Sequence, residues 1–191
     1  MMKQKWKGGT MLSPLPAVLV SCGDEEKANI LTIAWTGILS TTPPRVYISV
    51  RPTRHSFGII EKTGEFCINL PCSYNVRQLD FCGVKSGKDT DKFREAHFTK
   101  EQSFEVNCPS VAECPVTLEC KVFDKRDFGT HTAFFADVVA VSVDEKLIDE
   151  NGRLALEKAN LLAYAHGQYF ALGKKIGEFG FSVKKKKKGK K

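Results

Sequence analysis

Several widespread chemistries lack their signatures in this sequence. No G-x-G-x-x-G follows a strand-like run and no P-loop is present, so a Rossmann dinucleotide site or a nucleoside triphosphatase would be without its phosphate cradle. A G-x-S-x-G elbow is also missing, which removes the common serine hydrolase arrangement. The seven cysteines, Cys22, Cys67, Cys72, Cys82, Cys108, Cys114 and Cys120, form no C-x-x-C pair, so neither a zinc site nor a disulfide framework is expected. His55, His97, His131 and His166 are scattered, with no carboxylate at metal-ligand spacing, and no metal is expected. No apolar run approaches the length of a membrane span, and MMKQKWKGGTMLSPLPAVLV has no small-residue cleavage site behind a hydrophobic segment. The expectation is a cytoplasmic protein with no membrane partner.

A basic face is lacking too. The net charge of +7 comes from seven lysines among the last eight positions, Lys184 to Lys188, Lys190 and Lys191; without them 29 − 7 = 22 basic residues balance 22 acidic ones. A nucleic-acid partner would need basic residues on the fold itself, and none is expected. Residues 184–191 read as a disordered poly-lysine tail, because a like-charged run cannot pack. The rest, 1–183, is long enough for one domain with one core.

What is present reads as mainly β with a few helices. Runs rich in Val, Ile, Thr and Phe, bounded by Gly, Pro, Asn or Asp, predict strands over Ala17–Cys22, Ile30–Leu39, Val46–Val50, Phe66–Leu70, Val116–Phe123 and Thr132–Val143. Alternating helices are missing, so the sheet is expected to be antiparallel and closed into a barrel. The period-two row Cys114, Val116, Leu118, Cys120 and Val122 makes two cysteines small apolar residues on an inner strand face. Three helices are expected: one N-capped by Ser56 and stopped at Gly64, one from Ser73 or Asn75 to Gly83, and DKFREA at 91–96. VKSGKDT between the last two is a polar loop able to fold over a site, and the Asn-Gly step in DENGR at 149–153 turns the chain. The semi-apolar stretch Leu154–Phe181 is expected to pack back on the barrel or on a second subunit.

The chemistry concentrates in NILTIAWTGILSTTPPRVYISVRPTRHS, residues 29–56. Arg51, Arg54 and Ser56 precede a helix start, where open N–H groups and the positive helix end favour an anion such as phosphate. A solvated basic turn with an ordinary N-cap accounts for these residues equally well. Thr32, Trp35, Thr36, Ser40, Thr41 and Thr42 place donors where a strand ends and two prolines free the backbone from pairing. Such a rim suits a flat heteroaromatic ring with several acceptors along its edge.

Five segments in order give the chain a resemblance to a known family: N-x-x-T-x-A-W-T-G at 29–37, P-P-R-V-Y-I-S-V-R-P-x-R-H-S at 43–56, F-C-I-N-L-P at 66–71, S-G-K-D-T-D-K-F at 86–93 and G-T-H at 129–131. The chain resembles the flavin reductase-like, FMN-binding split-barrel family, and within it the flavoredoxin branch. The resemblance implies an antiparallel, Greek-key-like split β-barrel and non-covalent FMN. It implies electron transfer or NAD(P)H-dependent reduction, with NADH or NADPH as donor; the alternative is an electron carrier or FMN-binding module without turnover of its own. A homodimer is implied, with a small-molecule or redox-protein electron partner. Asn29 and Trp35 match cofactor-contacting positions, and Ser40 to Thr42 match a strand end beside the reactive N5 edge of the ring. Ser56 and Lys92 match phosphate or ribityl contacts, with Arg51 as charge partner. Tyr164 matches an aromatic against the cofactor, and His131, the candidate catalytic residue, a histidine near the ring that would add a positive dipole if protonated.

Overall fold

The computed structural model describes residues 1–184; the lysines from 185 onward, expected to form a disordered tail, lie outside the described residues. Residues 1–13 carry no regular secondary structure. The strands β1 (Leu15–Pro16), β2 (Val18–Cys22), β3 (Asn29–Ile33), β4 (Thr36–Thr41) and β5 (Pro44–Val50) lead into helix α1 (His55–Thr63). Next come β6 (Glu65–Leu70), α2 (Val76–Val84), α3 (Lys92–Glu95) and the short pair β7 (Lys100–Glu101) and β8 (Ser110–Val111). Two long strands, β9 (Val116–Asp127) and β10 (Thr132–Val143), precede the hairpin β11 (Leu162–Ala165) and β12 (Gln168–Ala171).

Seven strands pair in the order β3-β2-β6-β9-β10-β5-β4, and every neighbouring pair is antiparallel. The outermost strands β3 and β4 are separated in sequence only by Ala34 and Trp35. The three Cα steps between them cover at most about 11 Å, whereas a flat seven-stranded sheet would hold its edges roughly 28 Å apart. The sheet must therefore curl into a barrel. The strand expected over Ile30–Leu39 is corrected for the same reason: the chain leaves one edge at Ile33 and joins the other at Thr36.

β2 is buried along its whole length, and its two faces serve two cores. Val18, Val20 and Cys22 fill the barrel with Ile48, Phe66 and Phe134. Ala17 and Leu19 point the other way, against Leu79 and Cys82 of α2 and Phe93 of α3. Cys120 lies in the barrel core as expected, whereas Cys114 sits in the turn before β9 and is buried in the second core.

The three expected helices form, with one correction. Arg54, extended at φ −76° and ψ 137°, is the N-cap of α1, and its side chain makes no capping bond; Ser56 is the second residue inside the helix. Gly64 ends the helix at φ 69°, the left-handed conformation that glycine tolerates best. At 149–153 the Asp149 carboxylate accepts from the N–H groups of Asn151 and Arg153, closing the expected turn. β1, β11 and β12 form a small sheet of their own, which seats Leu162, Tyr164 and Tyr169 on the second core. Half of the C-terminal stretch thus packs back on the barrel, while Ile176 and Phe179 beyond it are fully exposed.

Candidate functional site

The edge switch at Ala34 and Trp35 opens a cavity of about 360 Å³ between β3, the end of β5, α2 and the β11–β12 hairpin. Aromatic groups from separate parts of the chain meet on its wall. The rings of Trp35 and His131 are nearly parallel, at 8° with centroids 6.5 Å apart; Trp35 also meets Tyr164 at 6.4 Å, and Tyr164 meets Tyr169 edge-on at 5.6 Å. The Tyr169 hydroxyl donates to Asp80, and burial followed by that carboxylate pushes its pKa up to about 12. Ala17, Ile33 and Val50 supply apolar surface. The Thr32 hydroxyl donates to the Leu79 carbonyl and fastens β3 to α2. Gly83 lies so close that a Cβ there would stand 3.2 Å from the Thr32 Cβ.

A second cavity of about 180 Å³ shares Leu31, Arg51 and Arg54 with the first, so the two are adjacent. Among the described residues its lining includes Arg51, Arg54, Lys85 and Lys92, and no carboxylate. The Asn29 amide donates to Ser56 Oγ at 2.7 Å, using that oxygen as acceptor and leaving the Ser56 hydroxyl as a donor. Gly87 is held against Asn29: a Cβ there would fall 2.1 Å from Asn29 Oδ1, so only glycine lets the 84–91 loop close this wall. The α1 N-terminus also faces the pocket through His55 and Ser56, whose N–H groups have no capping side chain, while that of Phe57 donates to the Arg54 carbonyl.

Lys92 is the most constrained member. Its side chain is 3% exposed, and Nζ donates to the carbonyls of Ile30 at 2.8 Å and Cys82 at 2.7 Å. An ammonium group has three donors, so one remains for the cavity. Burial, reinforced by the nearby Arg54 charge, pulls its pKa from 10.5 to about 8. A cation buried without a carboxylate is costly unless an anion joins it.

Of the residues singled out from the sequence, Thr32, Trp35, Arg51, His131 and Tyr164 line the first cavity, and Asn29, Arg51, Ser56 and Lys92 the second. Four others lie in neither. The Thr36 hydroxyl donates to the Tyr47 carbonyl within the β4–β5 pairing, and Ser40 Oγ donates to the Pro43 carbonyl across the turn that closes it. Thr41, the last residue of β4, and Thr42 in the turn after it are exposed, at the far end of β4 from Trp35. The Thr36 and Ser40 hydroxyls, expected along a ring edge, are thus taken up by the hairpin. For His131, burial and then the charge of Arg51 lower the pKa from its ordinary value, which disfavours the protonated form considered for it. Asp80, Gly83, Gly87 and Tyr169 were missed, since each gains its place through tertiary contact; SGKDT offered the one local clue, a glycine in a polar loop.

The chain matches known proteins along most of its length. The family model of the flavin reductase like domain matches residues 11–173. An uncharacterised protein of Pyrococcus abyssi (strain GE5 / Orsay) is 32% identical over 164 residues, which cover 86% of this chain and 93% of that protein. Among solved structures, flavoredoxin of Desulfovibrio vulgaris (Miyazaki F) aligns with a TM-score of 0.89 at 28% identity, over 96% of this chain and 100% of that one. Flavoredoxin from Methanosarcina acetivorans aligns with a TM-score of 0.86 at 25% identity, again over 96% and 100%. The fold is the split barrel of flavin reductase-like proteins.

Proposed function

This chain belongs to the flavin reductase-like domain family, and on that premise we propose that it binds FMN non-covalently and works as an oxidoreductase of the flavin reductase type. One observation carries the reading: an aromatic-walled cavity adjoins a smaller pocket that has four cationic side chains and, among the described residues, no carboxylate, the two sharing Leu31, Arg51 and Arg54. A planar ring suits the first and a phosphate the second. The residues fit that cofactor, because Lys92 is a buried cation with a donor to spare and α1 presents uncapped N–H groups to the same pocket. Bound flavin supplies reversible uptake of one or two electrons, and the protein supplies position and electrostatics. Trp35, His131 and Tyr164 hold the ring. Ala34 and Trp35, outside the paired registers of β3 and β4, offer main-chain N–H donors to its edge. The His131 ring, whose lowered pKa favours the neutral form, can accept or donate a hydrogen bond.

Electrons enter from NADH or NADPH in this reading and leave to a small molecule or a redox-protein partner. The partially exposed Trp35 leaves the first cavity accessible to a second ring. A second copy of this chain would cover the apolar side chains left open on the barrel and C-terminal segment, Ile38, Phe128, Phe170 and Ile176 among them. Anaerobic mixing of the FMN-loaded protein with each nicotinamide, followed at the flavin absorption band, tests the reaction. Bleaching at the expense of NADH or NADPH is expected; a band stable to both but bleached by dithionite would leave a carrier in place of a reductase.

A further inference from the structure

All seven cysteines are buried and free, and two of them touch each other. Cys67 Sγ on β6 lies 3.4 Å from Cys108 Sγ, which belongs to the segment between β7 and β8. That segment is already fixed to the barrel. The Glu119 carboxylate accepts from the N–H groups of Phe104 and Glu105, Glu65 accepts from that of Asn107, and Ser103 Oγ donates to the Cys108 carbonyl. A disulfide bond is about 2.05 Å long, so the two sulfurs must close by roughly 1.4 Å. The chain between them carries α2, the 84–91 loop and α3, and with them Asp80 and Gly83 of the first cavity and Lys85, Gly87 and Lys92 of the second.

We propose that Cys67 and Cys108 form a reversible disulfide that fastens this wall of both cavities to the barrel. Cys67 is the attacking sulfur. The Cys108 S–H bond to it, outweighing burial, lowers the Cys67 pKa, whereas the same bond and burial raise that of Cys108. With a hydroperoxide as oxidant, the Cys67 thiolate takes the terminal oxygen; an S–O bond forms, the O–O bond breaks and the alcohol leaves after protonation. Cys108 sulfur then attacks the Cys67 sulfenic acid. The S–S bond forms, the S–O bond breaks, and water leaves with the Cys108 proton. In total, two thiols and one hydroperoxide give one disulfide, one alcohol and one water, a two-electron oxidation that a dithiol reverses.

Peptide mapping of the full chain after hydrogen peroxide, with alkylation under denaturing conditions, tests this. The expected result is two fewer alkylated cysteines than the seven of the untreated chain, a peptide cross-link joining Cys67 to Cys108, and recovery with dithiothreitol. A bond closing so long a loop should raise Tm by roughly 5–10 °C. Cys108→Ala should lose both the cross-link and the shift, and Cys72→Ser should keep both. Seven alkylated cysteines after peroxide, a link between another pair, sulfinic acid at Cys67 without a link, or a linked chain with unchanged Tm would each overturn the proposal. None of these readouts depends on bound flavin.

Discussion

Lys92 has a charge that the fold does not neutralise. Its two hydrogen bonds go to carbonyls, and no ion pair among the described residues includes it. Losing one charge-assisted hydrogen bond costs roughly 1.5–3 kcal/mol, so Lys92→Ala should weaken FMN by about 10- to 150-fold. Arg51→Ala should do the same, and riboflavin binding should change little in either variant. Fluorescence titration with both flavins separates a phosphate contact from damage to the fold, which would weaken both ligands together. The lowered pKa makes a second prediction. Below pH 8 Lys92 is charged whether folded or not; between about 8 and 10.5 the flavin-free fold has lost its proton while the unfolded chain keeps it. The unfolded chain then binds more protons, so this group makes flavin-free stability rise with pH across that window. FMN affinity should move the other way, falling by up to about tenfold per pH unit above 8 in wild type and much less in Lys92→Ala. A flat pH profile for wild type would remove Lys92 from the phosphate contact.

The 84–91 loop and α1 show which elements were legible in sequence. β2, β5, β6, β9 and β10 followed from Val- and Ile-rich runs between Gly, Pro and Asn, and Gly64 marked the end of α1, since each signal is local. Nothing local separates β3 from β4: Ile30 to Leu39 reads as one strand, and only barrel closure divides it at Ala34. Short β1, β11 and β12 carry little alternation and exist because they pair with one another, so Tyr164 was reached through the family resemblance and Tyr169 not at all. The cations Arg51 and Arg54 were readable beside the helix start; the missing carboxylate that makes the pocket anionophilic is a tertiary fact. Two glycines distinguish the site from the scaffold. Gly87→Ala would drive a Cβ into Asn29 and should weaken FMN by at least about tenfold, the loss of one good hydrogen bond or more. Gly64→Ala faces open space at φ 69° and should cost about 1 kcal/mol of stability, with FMN affinity unchanged. Thermal melts and flavin titrations of both variants check the pair, and a Gly87→Ala protein with wild-type FMN affinity would contradict the close approach of the loop.

Across the whole molecule, the barrel supplies rigidity and its seam supplies the site. The first cavity lies where the chain passes from one sheet edge to the other, so it is walled by β3, the end of β5, α2 and the small C-terminal sheet rather than by one element. Apolar groups left open at Ile38, Phe128 and Phe170 set an expectation for assembly: light scattering at micromolar concentration should give the mass of a homodimer, and a monomer would leave that surface unexplained. The central claim is that the two adjoining cavities hold a flavin ring in the first and its phosphate in the second. Titration of flavin-free wild-type protein with FMN and with riboflavin, at pH 7 and fixed ionic strength, tests it most directly. The account predicts one FMN per chain, bound at least about 100-fold more tightly than riboflavin, as two or more charge-assisted phosphate contacts require. Equal affinity for the two flavins, or no binding of FMN, would contradict it.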